Sequence, residues 1–208
     1  GQSSCALADA GSFVDAIGAT EQVACPAGSF SGSGASECVD CEAGTYQYAT
    51  GKSSCALADA GSFVDAISAS EQVACDAGKY SGSAASECEG CATGTYQDQA
   101  GQSSCKLASQ GFYVGSTGAS EQTACPAGSF SGSGASACDE CERGTYQDAT
   151  GKSSCKLADA GSFVNDTGAS EQRECPVGSF SGSGASACEA CATGTFQEST
   201  GRSSCKLA

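Results

Sequence analysis

The stretch CVDCEAGTYQYATGKSSC, residues 38–55, decides the fold of this chain. It contains two cysteines three residues apart, then a Gly-Thr-Tyr step, then a third cysteine. Related stretches start at 55, where Gly-Ser-Phe follows at 61–63, and at 72, where Gly-Lys-Tyr follows at 78–80. Three such modules, each with one Gly-x-aromatic step, make a unit of 50 residues. A glycine before each ring is typical of a chain that bends once per module.

The 50-residue unit recurs along the whole chain as repeats 1–50, 51–100, 101–150 and 151–200, and residues 201–208 begin a fifth. The segment GSFSGSGAS stands unchanged at 28–36, 128–136 and 178–186. A fixed period of this length is typical of arrays in which each unit contacts only its neighbours. We predict small disulfide-rich repeats, arranged as an elongated tandem array of short β-hairpins and turns with little helix. We interpret the chain as a fragment of a longer array.

The composition indicates an oxidising, extracellular environment. The chain has 17 cysteines in 208 residues and no His, Met or Trp, which is the usage of a disulfide scaffold. Large aliphatic residues are scarce, so a conventional hydrophobic core cannot hold the fold. Closing a loop of about 14 residues with a disulfide contributes roughly 3 kcal/mol, which offsets part of the missing burial.

The net charge of −15 excludes some partners. It divides into −11 for residues 1–100 and −4 for residues 101–208. Such a field repels nucleic acids and acidic membrane surfaces, and no apolar run approaches the roughly 18 residues of a membrane span. We interpret the acidic residues as solubilising. A calcium site involving Asp9, Asp15 and Glu21 is the alternative, but no Asp-x-Asp-x-Asp-Gly loop occurs.

Two positions where the module pattern has cysteine carry another residue in every repeat, which suggests a pairing rule. The second cysteine of one module is replaced by Ala8, Ala58, Ala108 or Ala158, and the first cysteine of the next by Gln22, Gln72, Gln122 or Gln172. A disulfide is lost as a pair, because a lone thiol would mispair. We therefore infer that the second cysteine of each module bonds to the first cysteine of the next.

The rule predicts eight disulfides: Cys25 with Cys38, Cys41 with Cys55, Cys75 with Cys88, Cys91 with Cys105, Cys125 with Cys138, Cys141 with Cys155, Cys175 with Cys188 and Cys191 with Cys205. Cys5 remains unpaired within the fragment, and its expected partner lies in a preceding unit. A crossed pairing of Cys25 with Cys41 and Cys38 with Cys55 uses the same cysteines, and the sequence leaves both open.

The module without a predicted disulfide contains apolar residues instead. Leu7, Phe13, Val14, Ile17 and Val23 are concentrated there in the first repeat. We interpret them as a local core that replaces the disulfide through burial. Alternatively, they form a stripe through which arrays associate laterally. The third and fourth repeats have Thr117 and Thr167 in place of Ile17, which weakens such a stripe.

No pattern indicates catalysis, a cofactor or a metal centre. The Cys-x-x-Cys pairs lack the βαβ context of thiol redox proteins, and successive pairs lie too far apart for a zinc site without histidine. Without histidine, general base catalysis would depend on scattered carboxylates. We predict that the chain is not an enzyme. The aromatic rings are interpreted as structural, with carbohydrate stacking as the alternative.

The phrases Gly-Thr-Tyr-Gln-Asp-Ala-Thr-Gly-Lys-Ser-Ser-Cys-Lys (144–156) and Cys-Pro-Ala-Gly-Ser-Phe-Ser (125–131) resemble the ephrin-receptor-like cysteine-rich repeats. These are distantly similar to tumour-necrosis-factor-receptor modules. The resemblance covers essentially the whole chain and implies secreted or cell-surface ectodomains with a series of disulfides. The chain departs from the family pattern at the alanine and glutamine places named above. No ligand-binding residue carries over.

Asn165-Asp166-Thr167 is the one Asn-x-Ser/Thr sequence of the chain, so Asn165 is a candidate glycosylation site. The corresponding positions of the other repeats are Asp15, Asp65 and Gly115, which indicates a loop that tolerates change.

These observations predict a structural subunit of an extracellular filament or cell-surface appendage, which associates with copies of itself and has glycans as candidate partners. The near-identity of the repeats carries this prediction, because equivalent surfaces recur at equal steps. The alternative is the ectodomain stalk of a cell-surface receptor or adhesin that binds a protein or glycan ligand.

Overall fold

The computed structural model describes residues 5–208, which contain 24 two-residue β-strands and no helix. Each strand pairs antiparallel with a neighbour in sequence, giving twelve hairpins in this range. The predicted class of small disulfide-rich repeats built from short hairpins is therefore confirmed.

The strands follow the repeats in order. Those of the first repeat are β1 (Ser12–Phe13), β2 (Val23–Ala24), β3 (Ser29–Phe30), β4 (Val39–Asp40) and β5 (Thr45–Tyr46). Those of the second are β6 (Ala56–Leu57), β7 (Ser62–Phe63), β8 (Val73–Ala74), β9 (Lys79–Tyr80), β10 (Glu89–Gly90) and β11 (Thr95–Tyr96). The third has β12 (Lys106–Leu107), β13 (Phe112–Tyr113), β14 (Thr123–Ala124), β15 (Ser129–Phe130), β16 (Asp139–Glu140) and β17 (Thr145–Tyr146). The remainder are β18 (Lys156–Leu157), β19 (Ser162–Phe163), β20 (Arg173–Glu174), β21 (Ser179–Phe180), β22 (Glu189–Ala190), β23 (Thr195–Phe196) and β24 (Lys206–Leu207).

Every Gly-x-aromatic step forms the first strand of a hairpin. In the β7–β8 pair, Ser62 lies opposite Ala74 and Phe63 opposite Val73. The glycine before the strand, Gly61, has a φ of +90°, a backbone conformation that side chains other than glycine disfavour. The aromatic ring of each module therefore has a fixed place directly after a turn.

The chain comprises two compact units. The first contains the residues up to Cys91 together with Gln97–Cys105 and Gly118–Ser120. The second contains Ala92–Tyr96, Lys106–Thr117 and Glu121–Ala208. The same local contacts recur inside each unit.

Backbone hydrogen bonds join each hairpin to the next one along the chain. In the first unit, the Gly44 N–H donates to the Val64 carbonyl (2.8 Å) and the Ser68 N–H donates to the Cys41 carbonyl (2.8 Å). In the second unit the equivalent bonds join Gly144 to Val164 and Gly168 to Cys141, also at 2.8 Å. Polar backbone groups outside the short strands are satisfied in this way.

A second type of contact requires glycine at a fixed place. A Cβ atom added to Gly61 would overlap the carbonyl oxygen of Gly101, which lies in a loop two modules further on. The same overlap would occur between Gly161 and the carbonyl of Gly201 in the second unit. These two turns are thus packed directly against the backbone of a later module, and no side chain fits between them.

The residue after the aromatic ring is buried in every module except the first, where Val14 is half-buried, and its type differs between the three modules. In the second repeat these residues are Val64, Ser81 and Gln97, all of them buried. The Ser81 hydroxyl donates to the Ser62 carbonyl (2.8 Å), and the Gln97 amide donates to the Ser104 carbonyl (2.7 Å). Within residues 5–208, no buried side-chain polar atom lacks a hydrogen-bond partner.

Two residues of the second repeat occupy loop positions that suit glycine. Ser68 has a φ of 58° and Ala84 a φ of 62°. The equivalent positions in the first repeat are Gly18 and Gly34, with φ values of 78° and 75°. A left-handed conformation costs a non-glycine residue roughly 1–2 kcal/mol. The second repeat therefore carries backbone strain that the corresponding loops of the first repeat avoid.

We expect Ser68→Gly and Ala84→Gly each to raise the free energy of unfolding by about 0.5–1 kcal/mol, since relief of the left-handed strain exceeds the entropy that glycine adds to the unfolded chain. Denaturant midpoints of the oxidised protein measure the effect. The control is Ala69→Gly, which adds the same entropy at a neighbouring position without a positive φ and should lower stability. A decrease in both test variants would contradict this account.

Candidate functional site

The sixteen cysteines from Cys25 onward form eight disulfides within the described residues. The pairs are Cys25–Cys38, Cys41–Cys55, Cys75–Cys88, Cys91–Cys105, Cys125–Cys138, Cys141–Cys155, Cys175–Cys188 and Cys191–Cys205. These are the sequential pairs, and the crossed pairs do not occur among them. Each disulfide joins a cysteine that precedes one strand, such as the buried Cys41, to one that directly precedes the partner strand, such as Cys55. The first cysteine is buried in all of them except Cys191–Cys205, where Cys191 is half-buried.

Two further candidate residues lie at the surface. Cys5 is exposed and is not part of a disulfide in the described part of the chain. Asn165 is exposed in the segment between β19 and the turn at Gly168. The rings of the Gly-x-aromatic steps from Phe13 to Phe180 are half-buried, whereas Phe196 is exposed, as is Tyr48, which lies outside these steps.

A pair of hydrogen bonds occupies the place of the missing disulfide. In the second repeat, the Asp59 backbone N–H donates to Gln72 Oε1 (2.6 Å), and Gln72 Nε2 donates to Asp59 Oδ2 (2.6 Å). The same two bonds join Asp9 to Gln22 and Asp159 to Gln172. We call each of these pairs a glutamine clasp. Gln72 stands where the cysteine would be, and Asp59 directly follows Ala58, the place of the other.

The clasp of the third repeat is weaker. Ser109 replaces the aspartate, so that the Gln122 amide donates to a neutral hydroxyl at 3.3 Å instead of a carboxylate. The backbone bond from Ser109 to Gln122 Oε1 is retained at 2.6 Å. Hydrogen bonds to a charged acceptor are roughly twice as strong as neutral ones. The clasp of the third repeat is therefore the weakest of the four.

The prediction of a local apolar core in this module is wrong for most of its residues. Leu7, Ile17 and Val23 are exposed in the first repeat, as are Leu57, Ile67 and Val73 in the second. The valine after the ring is the exception, since Val64 is 3% exposed. A hairpin of two-residue strands has too little surface to enclose these side chains, so the small Ala58, which is fully buried, and the clasp replace the disulfide instead.

The calcium candidates do not form a ligand group. Asp9 accepts a hydrogen bond from Gln22 at 2.6 Å. Within residues 5–208, no three His, Cys, Asp or Glu side chains lie close enough together to hold a metal ion. The Cys-x-x-Cys cysteines are all in disulfides, so they offer no thiolate to zinc.

The perturbed titratable groups belong to exposed pairs on the hairpins. Lys156 donates to Asp148 at 2.6 Å, and this hydrogen bond lowers the pKa of Asp148 and raises the pKa of Lys156. The Tyr80 hydroxyl donates to Glu89 (2.7 Å), which raises the pKa of Tyr80. Each pair joins the two strands of one hairpin or its adjoining loop, so these groups support local structure.

The pattern of cysteines, hairpins and Gly-x-aromatic steps defines a cysteine-rich ectodomain repeat. The family model described as tyrosine-protein kinase ephrin type A/B receptor-like matches residues 28–75, 78–125, 128–175 and 178–207. The chain therefore belongs to the ephrin-receptor-like family. No curated protein matches the chain.

Family and structure together indicate the general character of the chain. Ephrin-receptor-like repeats are structural modules of receptor-type ectodomains, and the eight disulfides fit an extracellular location. The described residues contain no helix with the length and hydropathy needed to cross a membrane.

The double substitution Ala58→Cys/Gln72→Cys should form a ninth disulfide, since these positions have the sequence separation of 14 found for Cys41–Cys55. We expect stability to rise by about 3 kcal/mol for a loop of this length. Peptide mapping without reduction identifies the new link, and denaturant unfolding measures its effect. Ala58→Ser/Gln72→Ser is the control, which removes the clasp without a cross-link and should lower stability. Free thiols at both introduced cysteines would show that the clasp does not occupy a disulfide position.

Proposed function

We propose that the chain is a structural subunit of an extracellular filament or cell-surface appendage, in which copies associate side by side through a leucine that is exposed at the same position of every repeat. One leucine occupies the same position in every repeat: Leu7, Leu57, Leu107 and Leu157 are 75%, 58%, 63% and 62% exposed. Single exposed apolar residues are ordinary on protein surfaces. A leucine that recurs at the same step in every repeat is the observation that carries the proposal.

The leucines have a common setting within each unit. Leu57, Leu107 and Leu157 are the second residues of β6, β12 and β18 and lie opposite a threonine in each hairpin. In the second unit, the side chains of Leu107 and Leu157 lie beside Gly134 and Gly184, with Cδ2 of each leucine 3.3 Å from the position that a Cβ atom would occupy on the glycine. An identical side chain in an identical setting presents equal contacts to a second copy at each period. Because one buried leucine contributes roughly 1.5–3 kcal/mol, several in register are sufficient for association.

Charge acts against this association. The net charge of −15 makes two copies repel each other at low ionic strength. Salt at physiological concentration screens charges farther apart than about 8 Å, which reduces the repulsion. The leucine contacts therefore favour association most strongly at physiological or higher salt concentration, which is the condition outside cells.

The role of these exposed leucines is tested by Leu57→Lys/Leu107→Lys/Leu157→Lys in the full chain. Loss of three contacts should weaken association by about a hundredfold or more, as measured by sedimentation over a concentration series at two ionic strengths. Association of the unchanged chain should strengthen with salt. Electron microscopy of the associated material should show lateral register at the repeat period.

The matched control is Val39→Lys/Val177→Lys. Val39 and Val177 are also exposed apolar residues, at 53% and 60%, but they do not recur, since the other repeats have acidic residues or alanine there. The control should associate like the unchanged chain. Equal weakening by both sets, or a chain that stays monomeric at every concentration and salt, would contradict the proposal.

The family match favours a second candidate, the stalk of a receptor or adhesin ectodomain that presents a ligand-binding part. In that case the chain has no need of contacts between copies. A monomeric chain in the experiment above, together with binding of a protein or glycan by the native molecule, would support this candidate over the filament.

We also propose that Asn165 carries an N-linked glycan. Its exposure in the loop after β19 and the threonine two residues later support this. Secretion from a eukaryotic host should give one glycan sensitive to an N-glycosidase, and Asn165→Gln should give none. Asp65→Asn/Ile67→Thr creates a matched sequence in the exposed loop of the second repeat and should add a second glycan. An unchanged carbohydrate mass in the Asn165→Gln variant would reject the assignment.

A further inference from the structure

The disulfides determine which residues can extend when the chain is pulled. A force applied at the two ends passes across each disulfide, so the residues inside a bridged loop stay out of the load-bearing path. In the second repeat, Cys41–Cys55 and Cys75–Cys88 are closed in this way. The path from Cys55 to Cys75 has no cross-link and covers 20 residue steps. By comparison, the path from Cys88 to Cys91 covers only three.

Noncovalent contacts alone hold this segment in place. They include the short β7–β8 hairpin, the clasp of Asp59 with Gln72, and the backbone bonds of Val64 and Ser68 to the preceding module. Backbone bonds from Gly61 and Val64 also join the segment to the following module. Several of its apolar side chains are exposed, including Ile67 at 70%. Regions with few buried apolar contacts and no cross-link are the first to open in a folded protein. The bridged modules on either side, by contrast, remain closed while their disulfides are intact.

From this arrangement, we propose that the module without a disulfide is an extensible element, which opens under tension and lengthens the chain by a fixed step once per 50 residues. The inference goes beyond the proposed function, because it does not depend on association between copies. Opening breaks only hydrogen bonds and small apolar contacts, so the module re-forms when the force is removed. A covalently linked chain thereby gains a reversible reserve of length.

The size of the step follows from the connectivity. Twenty residue steps at about 3.3–3.6 Å each give roughly 70 Å of contour length, from which the folded separation of the two cysteines is subtracted. Equivalent segments run from Cys105 to Cys125 and from Cys155 to Cys175. The chain thus contains three internal steps of equal length. The third repeat should open at the lowest force, because Ser109 makes its clasp the weakest.

Single-molecule stretching of the oxidised full chain between terminal handles tests the inference. We expect three separate low-force extensions of equal length from the internal segments, besides that of the terminal residues before Cys25, and all should recur after relaxation. The double variant Ala58→Cys/Gln72→Cys leaves six extensible residue steps in its segment, so one of the three extensions should shorten by about 45 Å.

Asp59→Ser, which gives the second repeat the residue found in the third, should lower the force of one extension without changing its length.

The matched control is Gln102→Ala. The Gln102 side chain is outside every clasp and donates a hydrogen bond to the Ala100 carbonyl at 3.3 Å, so forces and lengths should stay as in the unchanged chain. Extension of the whole chain in one event, or three unshortened extensions in a variant shown to contain the ninth disulfide, would overturn the inference. If that disulfide does not form, an unchanged force for Asp59→Ser would have the same consequence.

Discussion

Covalent closure of two hairpins in every three is the constraint on which the rest of the structure depends. Paired strands of two residues are too short to persist alone in water, and the interior contains cystine, alanine, serine and glutamine with few large aliphatic residues. A disulfide across a loop of this length contributes about 3 kcal/mol. Once a hairpin is closed, its turn glycine and its backbone donors have fixed positions, which allows the next module to bond to them.

The modules differ in how they meet this constraint. Two of every three are closed by a disulfide, and the third by hydrogen bonds between Gln72 and Asp59 or their equivalents. The buried residue after the ring also changes from valine to serine to glutamine. The period of 50 residues is therefore a cycle of three related modules, in which closed segments alternate with one that can deform. The exposed leucine follows the same cycle, which links the proposed contacts between copies to the internal period.

Much of the fold could be predicted from the sequence, because cysteine spacing and Gly-x-aromatic steps restrict a short module to few conformations. The joint absence of two cysteines suggested the sequential pairs, and the structure contains those pairs. The clasp was missed, although the recurrence of Asp9 and Gln22 at the same separation as a disulfide was a signal for it. The prediction of an apolar core was wrong because the sequence does not reveal which side of a two-residue strand faces the protein interior. Leu57 shows this, since it stands beside the fully buried Ala58 yet is largely exposed.

Hydrogen exchange of the backbone amides, measured on the oxidised protein and again after complete reduction, tests the central claim most directly. The amides that join hairpins, such as Gly44 and Gly78, should be protected in the oxidised protein and should lose that protection in every module on reduction. Protection that survives reduction would contradict the account, since it would show that noncovalent packing alone maintains the fold.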